Sequence, residues 1–146
     1  MKTLLLVAAL AQSGDPSGFV DQLNALRARY GLRAVAHDAA AVPIAAANNA
    51  WQAVRGLGHH VLGGYGQCAA IGMGSPEAAL WAWCGSPAHA ALILAPDLVS
   101  VGFAWDGSNA TVATQQAGMS VSRQVTNQYA WTYYQWQPRR WRRWRR

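Results

Sequence analysis

Three imidazoles stand out as residues that could do chemistry: the adjacent pair His59-His60, and His89, which follows Ser86 by three positions. A neutral imidazole can ligate a metal or exchange a proton near neutral pH. Neighbours in an extended segment point to opposite faces, so only one of His59 and His60 can share a site with His89. Ser86 beside His89 hints at nucleophilic chemistry, but no orienting acid lies near. Ser86-Pro87 reads better as a helix cap followed by proline at the first helical position. The positive end of such a short helix favours the neutral form of His89.

The other candidate motifs are weaker. Cys68 and Cys84 have no CxxC metal spacing. One bridge between them would close a loop of about 15 residues and stabilise the fold by roughly 3 kcal/mol; two buried thiols are the alternative. Gly64-x-Gly66-x-x-Ala69 partly mimics a dinucleotide fingerprint, yet it follows a His-containing loop and opens no helix. Asn109-Ala110-Thr111 is a glycosylation sequon in an expected hairpin turn.

A second kind of chemistry sits at the C-terminus, where Tyr129 to Arg146 reads YAWTYYQWQPRRWRRWRR. Arg139, Arg140, Trp141, Arg142, Arg143, Trp144, Arg145 and Arg146 interleave forked cations with indoles. Trp favours the lipid headgroup level and Arg grips phosphate. Such a tail suits an anionic membrane, an acidic envelope polymer or single-stranded nucleic acid. Pro138 argues against one continuous helix across it.

The charge balance isolates that tail. Of 146 residues, twelve are Lys or Arg and six are Asp or Glu, for a net charge of +6. The six tail arginines supply the whole excess, because the remaining six bases match the six acids. One terminus, not the globular part, should therefore seek anions. Hydrophobic residues make up 52% of the chain, enough for a core and too many for a disordered protein. The start, MKTLLLVAALAQSG, has a basic residue, an apolar stretch and a small-x-small site at Ala9-Leu10-Ala11. It reads as a signal peptide over 1–11, and hence as export.

Elements that would position these residues follow from pattern. Asp15-Pro16 predicts a helix start, Phe19, Leu23, Leu26 and Tyr30 form one apolar stripe, and Gly31 closes it. An alanine-rich helix, with Asp38 before it, becomes regular at Pro43 and runs to Gly56. A glycine-rich loop feeds a short strand around Cys68–Ile71. Ser75-Pro76-Glu77 opens a helix to Cys84, ended by Gly85, and Ser86-Pro87 opens another through Leu94. Val99–Trp105 and Ala110–Gln116 form a hairpin about Asp106-Gly107-Ser108-Asn109. Helices first and an antiparallel hairpin late indicate an α+β fold. Trp81, Trp83 and Trp105 are expected in the core.

These residues resemble the CAP superfamily, which groups cysteine-rich secretory proteins, antigen 5 and plant pathogenesis-related proteins. Leu23-Asn24-Ala25-Leu26-Arg27-Ala28-Arg29-Tyr30-Gly31-Leu32 is similar to the family's first-helix signature. Leu57-Gly58-His59-His60 resembles the Gly-His after the second helix. Ser75-Pro76-Glu77, Trp83 and Ser86-Pro87-Ala88-His89 resemble the bacterial, SCP-like branch, as do Val101-Gly102 and Thr114-Gln115 in the late strands. The resemblance covers roughly residues 19–117.

The resemblance implies a three-layer α-β-α sandwich with a central antiparallel sheet, usually extracellular, with a surface cleft of two histidines and two acids. Here His59, His60, Gln67, Ser86 and His89 would line that cleft, with His59 and His89 as the metal candidates. Gln67 stands where the family commonly carries an acid, and Cys84-Gly85-Ser86 occupies the region of the second. Two imidazoles and an amide are a poor donor set, since zinc wants three or four strong ligands. No cofactor is required on this reading; a divalent metal such as zinc is the one the histidines could take.

The organisation expected is a signal peptide at 1–11, a linker at 12–18, a CAP domain at 19–117 and a basic tail at 118–146. The function expected is a secreted or envelope-associated, non-catalytic protein. Its cleft would bind a small apolar, lipid or peptide ligand, and its tail would hold an anionic membrane or envelope polymer; export makes nucleic acid the weaker partner. Two alternatives remain open: a metal-dependent hydrolase using the two cleft histidines, and a membrane-active defence protein acting through the tail.

Overall fold

The computed structural model describes residues 14–119. The signal peptide expected at 1–11, the start of the linker and the tail with Arg139 to Arg146 lie outside the described residues. The described chain forms, in order, α1 (Phe19–Arg29), β1 (Ala36–His37), α2 (Val42–Arg55), β2 (Gly66–Ala70), α3 (Pro76–Cys84), α4 (Pro87–Ile93), β3 (Leu98–Trp105) and β4 (Ala110–Gln116).

Local chemistry explains most of these boundaries. α1 ends as Gly31 predicts: at φ +67 it lets its N–H reach Ala28 O and the Leu32 N–H reach Arg27 O, both at 3.0 Å. The start of α1 differs from expectation. Gly18 at φ +72 breaks the helix path, so the helix begins at Phe19 rather than at Pro16. Asp15 still caps it from a distance, accepting the Val20 N–H at 3.0 Å. Ser75 caps α3 by accepting the Ala78 N–H. Asp38 accepts the N–H groups of Ala40 and Ala41 just ahead of α2, and Pro43 lies in its first turn.

The four strands run in the order β1-β3-β4-β2. β3–β4 and β2–β4 are antiparallel, as expected, but β1 pairs parallel with β3 through Ala36↔Ser100 and His37↔Val101. The expected antiparallel sheet is present in β3, β4 and β2, and the two-residue β1 adds a parallel pairing that makes the whole sheet mixed.

Alternation along the strands sends side chains into two layers. On one face Cys68, Val112, Phe103 and Val101 meet α1, α3 and α4. Phe19 stacks on Phe103 with centroids 4.1 Å apart, and Trp83 packs edge-on against both rings. The Trp83 indole N–H donates to Ala69 O, so its buried polar atom is satisfied. On the other face Ala113 packs beneath α2 with Ala41, Ile44 and Ala45. Gly102 permits this approach: a Cβ there would lie 2.5 Å from the Ala41 Cβ. The result is an α+β fold of helix, sheet and helix layers. Trp81 and Trp105 depart from expectation, being 53% and 40% exposed. Ala79, Leu80 and Trp83 are the buried residues of α3, and position 81 turns away from that stripe.

Arg27 ties the first helix to the fourth. It is fully buried. Its Nε donates to Arg33 O at 2.9 Å, and its Nη1 to Ile93 O and Ala95 O at 2.8 and 3.1 Å. The last carbonyls around the end of α4 thus receive donors from a side chain 66 and 68 residues earlier.

Candidate functional site

The histidine pair sits in the loop between α2 and β2, and Asn48 of α2 shapes that loop. The Asn48 Oδ1 accepts the N–H groups of His60 and Val61, while its Nδ2 donates to Gly58 O and Thr111 Oγ1. One buried amide therefore fixes the backbone at Gly58, His60 and Val61 around the imidazoles and anchors it to β4. The same network, with Asn49, Gln52 and Thr111, forms a polar seam between α2 and the sheet.

Within this frame His59 meets Gln67. The His59 Nδ1 lies 2.9 Å from Gln67 Oε1, and Gln67 Nε2 donates to Val61 O at 2.8 Å. A backbone carbonyl can only accept, so the amide NH₂ must face Val61. Gln67 Oε1 then faces the ring, and Nδ1 must carry the hydrogen. His59 is thereby held as the Nδ1–H tautomer, with the lone pair of Nε2 left as an acceptor on an exposed side chain.

His60 turns elsewhere, as neighbours in an extended segment should. Its ring Nε2 lies 3.0 Å from Gly56 O, at the end of α2. His89 belongs to α4, on the opposite face of the sheet from Gln67. Cys68, the next residue of β2, places its Sγ 4.0 Å from the His89 carbonyl. Edge strand β2 is thus flanked by His59 on one side and by the His89 segment on the other. Ser86 occupies the N-cap position of α4 in extended geometry but makes no side-chain cap bond, unlike Ser75. Among the described residues, neither Ser86 Oγ nor the His89 ring makes a hydrogen bond to the other candidates.

Metal and nucleophile chemistry can be judged from these donors. Among the described residues no group of three or more His, Cys, Asp or Glu is placed to hold a metal ion. Gln67 Oε1 is already engaged by the His59 ring, which leaves imidazole nitrogens alone; a zinc site wants three or four strong donors, so these residues do not fit it. Both cysteines are free thiols. Burial pushes the Cys68 thiol up to about 12 and raises that of Cys84 as well, which makes both poor nucleophiles at neutral pH.

Two further features were not legible in the sequence. A groove of about 170 Å³ lies between α1 and α3, floored by Leu26 and Leu80, with Trp81, Arg29 and Glu77 at its sides. The sequon residue Asn109 is only 8% exposed and donates to Asp106 Oδ2 at 2.9 Å, while Thr111 is fully buried. The hairpin turn engages the Asn109 amide and the α2 seam engages the Thr111 hydroxyl, so the sequon is not presented for glycosylation in the folded domain.

This arrangement of layers, with β2 at the sheet edge and the histidine loop against it, is the fold of the SCP, or CAP, domain. The chain is similar to two solved bacterial structures of that kind. One is an extracellular protein containing a SCP domain from Bacillus anthracis, with a TM-score of 0.61, 19% identity and 67% of this chain covered. The other is a cysteine-rich secretory protein from Staphylococcus aureus, with a TM-score of 0.53, 14% identity and 68% of this chain covered. This chain spans 39% and 38% of their respective lengths. Neither a protein-family sequence model nor a curated protein matches the chain.

Proposed function

We propose that the protein is an extracellular, non-catalytic binding module of SCP fold, held on an anionic surface by its Arg/Trp tail. The observation that carries the non-catalytic part is the Gln67 amide. It stands where the family resemblance implies a carboxylate, fixes a hydrogen on His59 Nδ1 and leaves Nε2 as the outward ring nitrogen. Such a site can receive a hydroxyl or amide donor on a small apolar or peptide ligand. It lacks a positioned nucleophile, since the Cys68 thiol is buried and Ser86 is not bonded to an imidazole. Export is supported by the N-terminal leader pattern and by the extracellular description of the Bacillus anthracis neighbour.

The tether is supported by charge: the six tail arginines equal the entire net charge of +6. The experiment measures binding to anionic vesicles, wall fragments and DNA across salt concentrations, with and without residues 129–146. Loss of most binding on deletion, with unchanged melting, is the expected result. Equal binding by the shortened protein defeats the tether. For the cleft, binding of a fluorescent fatty acid that His59→Ala abolishes would support the ligand site.

A further inference from the structure

The C-terminal end of α2 carries an exposed apolar and basic cluster that the proposed function does not use. Val54 is 79% exposed, Leu57 60% and Trp51 43%. Trp51, Val54 and Arg55 are spaced three and four apart and so share one helix face. The Arg55 guanidinium lies 4.4 Å from the centre of the Trp51 ring. Leu57 follows directly at the helix end, and the His60 ring closes the cluster by its contact with Gly56 O at 3.0 Å. An indole with a stacked guanidinium, beside two exposed aliphatic side chains, has an apolar body and a cationic rim.

The charge that this helix end carries is the Arg55 guanidinium. From Ala39 to Pro76 the sequence contains no Asp or Glu, so Arg55 meets no acid within the helix or the loop that follows. The hairpin acid Asp106 accepts hydrogen bonds from Ser108 and Asn109 of its own turn. A surface that is apolar at its centre and cationic at its edge matches an anionic bilayer, where Trp lies at headgroup depth and Arg meets phosphate.

We infer that this end of α2 is a docking face for an anionic lipid bilayer, and that it orients the domain with α2 toward the lipid. The inference takes its anionic partner from the tether reading above, but it concerns different residues and fails separately.

The test compares full-length proteins on phosphatidylcholine vesicles with and without phosphatidylglycerol. One variant combines Trp51→Ser, Val54→Ser and Leu57→Ser; a second is Val54→Asp alone, which keeps the inference testable should the triple variant not fold. A third changes the six tail arginines to Gln. The triple variant, with its tail intact, is expected to lose about tenfold in partitioning to anionic vesicles, which withdrawal of under about 100 Å² of apolar contact suffices to produce. Val54→Asp is expected to weaken binding in the same direction. Brominated acyl chains should quench parent protein emission more than that of Trp51→Phe.

Partitioning equal to the parent in the folded patch variants overturns the inference, whatever the tail variant does. So does a parent that binds no vesicles, or a patch whose loss abolishes self-association in sedimentation while leaving vesicle binding intact. If the arginine variant binds like the parent and the patch variants do not, the tether reading falls and the docking face stands.

Discussion

Gln67 and His59 face each other at 2.9 Å in an orientation that only one arrangement of hydrogens permits. The Val61 carbonyl claims the Gln67 amide hydrogens, and the remaining oxygen claims the His59 Nδ1–H. A carboxylate at this position would present an acceptor to both neighbours, one of which is itself an acceptor. Gln67 is therefore a distinct solution for this loop, not a neutral stand-in for an acid.

The first prediction follows from that pairing. Gln67→Glu should lower stability at neutral pH by about 1–3 kcal/mol, the cost of leaving a buried carbonyl without its donor. Urea unfolding of parent and variant reads the difference. A variant as stable as the parent would show that Val61 O does not depend on the amide.

Arg27 should be the most sensitive charged residue of the domain. Arg27→Ala removes donors from three backbone carbonyls and leaves a cavity, a loss of at least about 3 kcal/mol. Arg27→Lys keeps the cation but not the planar fork, and should recover less than half of that loss. Denaturant midpoints of the two variants check both statements.

Gly102 gives a steric prediction. A methyl group there would sit 2.5 Å from Ala41 Cβ and 2.6 Å from the backbone of Ala41 and Val42. Gly102→Ala must push α2 off the sheet, at a cost of about 2–3 kcal/mol in thermal or urea melts. The polar seam of Asn48, Asn49 and Thr111 would open with it.

The domain should weaken in alkali. Burial pushes the Cys68 thiol from 9.0 up to about 12; burial, and then the charge and hydrogen bond of Asp38, push the Tyr65 phenol from 10.0 up to about 12. The folded state then holds more protons than the unfolded one between about pH 9 and 12, so this stabilisation is complete below that window and falls as pH rises through it. Unfolding free energy measured from neutral to high pH should decline there, and less steeply in Tyr65→Phe. A flat profile for the parent would contradict it.

Much of this fold was legible because short polar signals mark its boundaries. Gly31, Ser75-Pro76, Gly85 and the Asp106 turn end or begin elements where the sequence places them, and the β3–β4 hairpin follows its alternation. β1 was invisible, since two residues carry no periodicity and their pairing with β3 is set by tertiary packing. The start of α1 was misplaced because a left-handed Gly18 outweighs the Asp-Pro signal three residues earlier. Indole burial was overestimated for Trp81 and Trp105, whose hydrophobicity says nothing of which helix or strand face they take.

The site was legible in part. The sequence pointed to the loop bearing His59 and to Gln67. It did not reveal that Asn48 shapes that loop, nor which ring nitrogen carries the proton, because both depend on a carbonyl, Val61 O, that the fold brings to the amide.

The reach of Arg27 to Ile93 and Ala95 also bears on the order of assembly. On the ribosome, α1 is complete long before its guanidinium can find those carbonyls, for two-thirds of a hundred residues must first be translated. Until then the Arg27 cation lacks two of its three carbonyl partners, which discourages the apolar stripe of Phe19, Val20, Leu23 and Leu26 from burying itself early against the wrong neighbours. Closure of the domain then waits on the segment that ends α4.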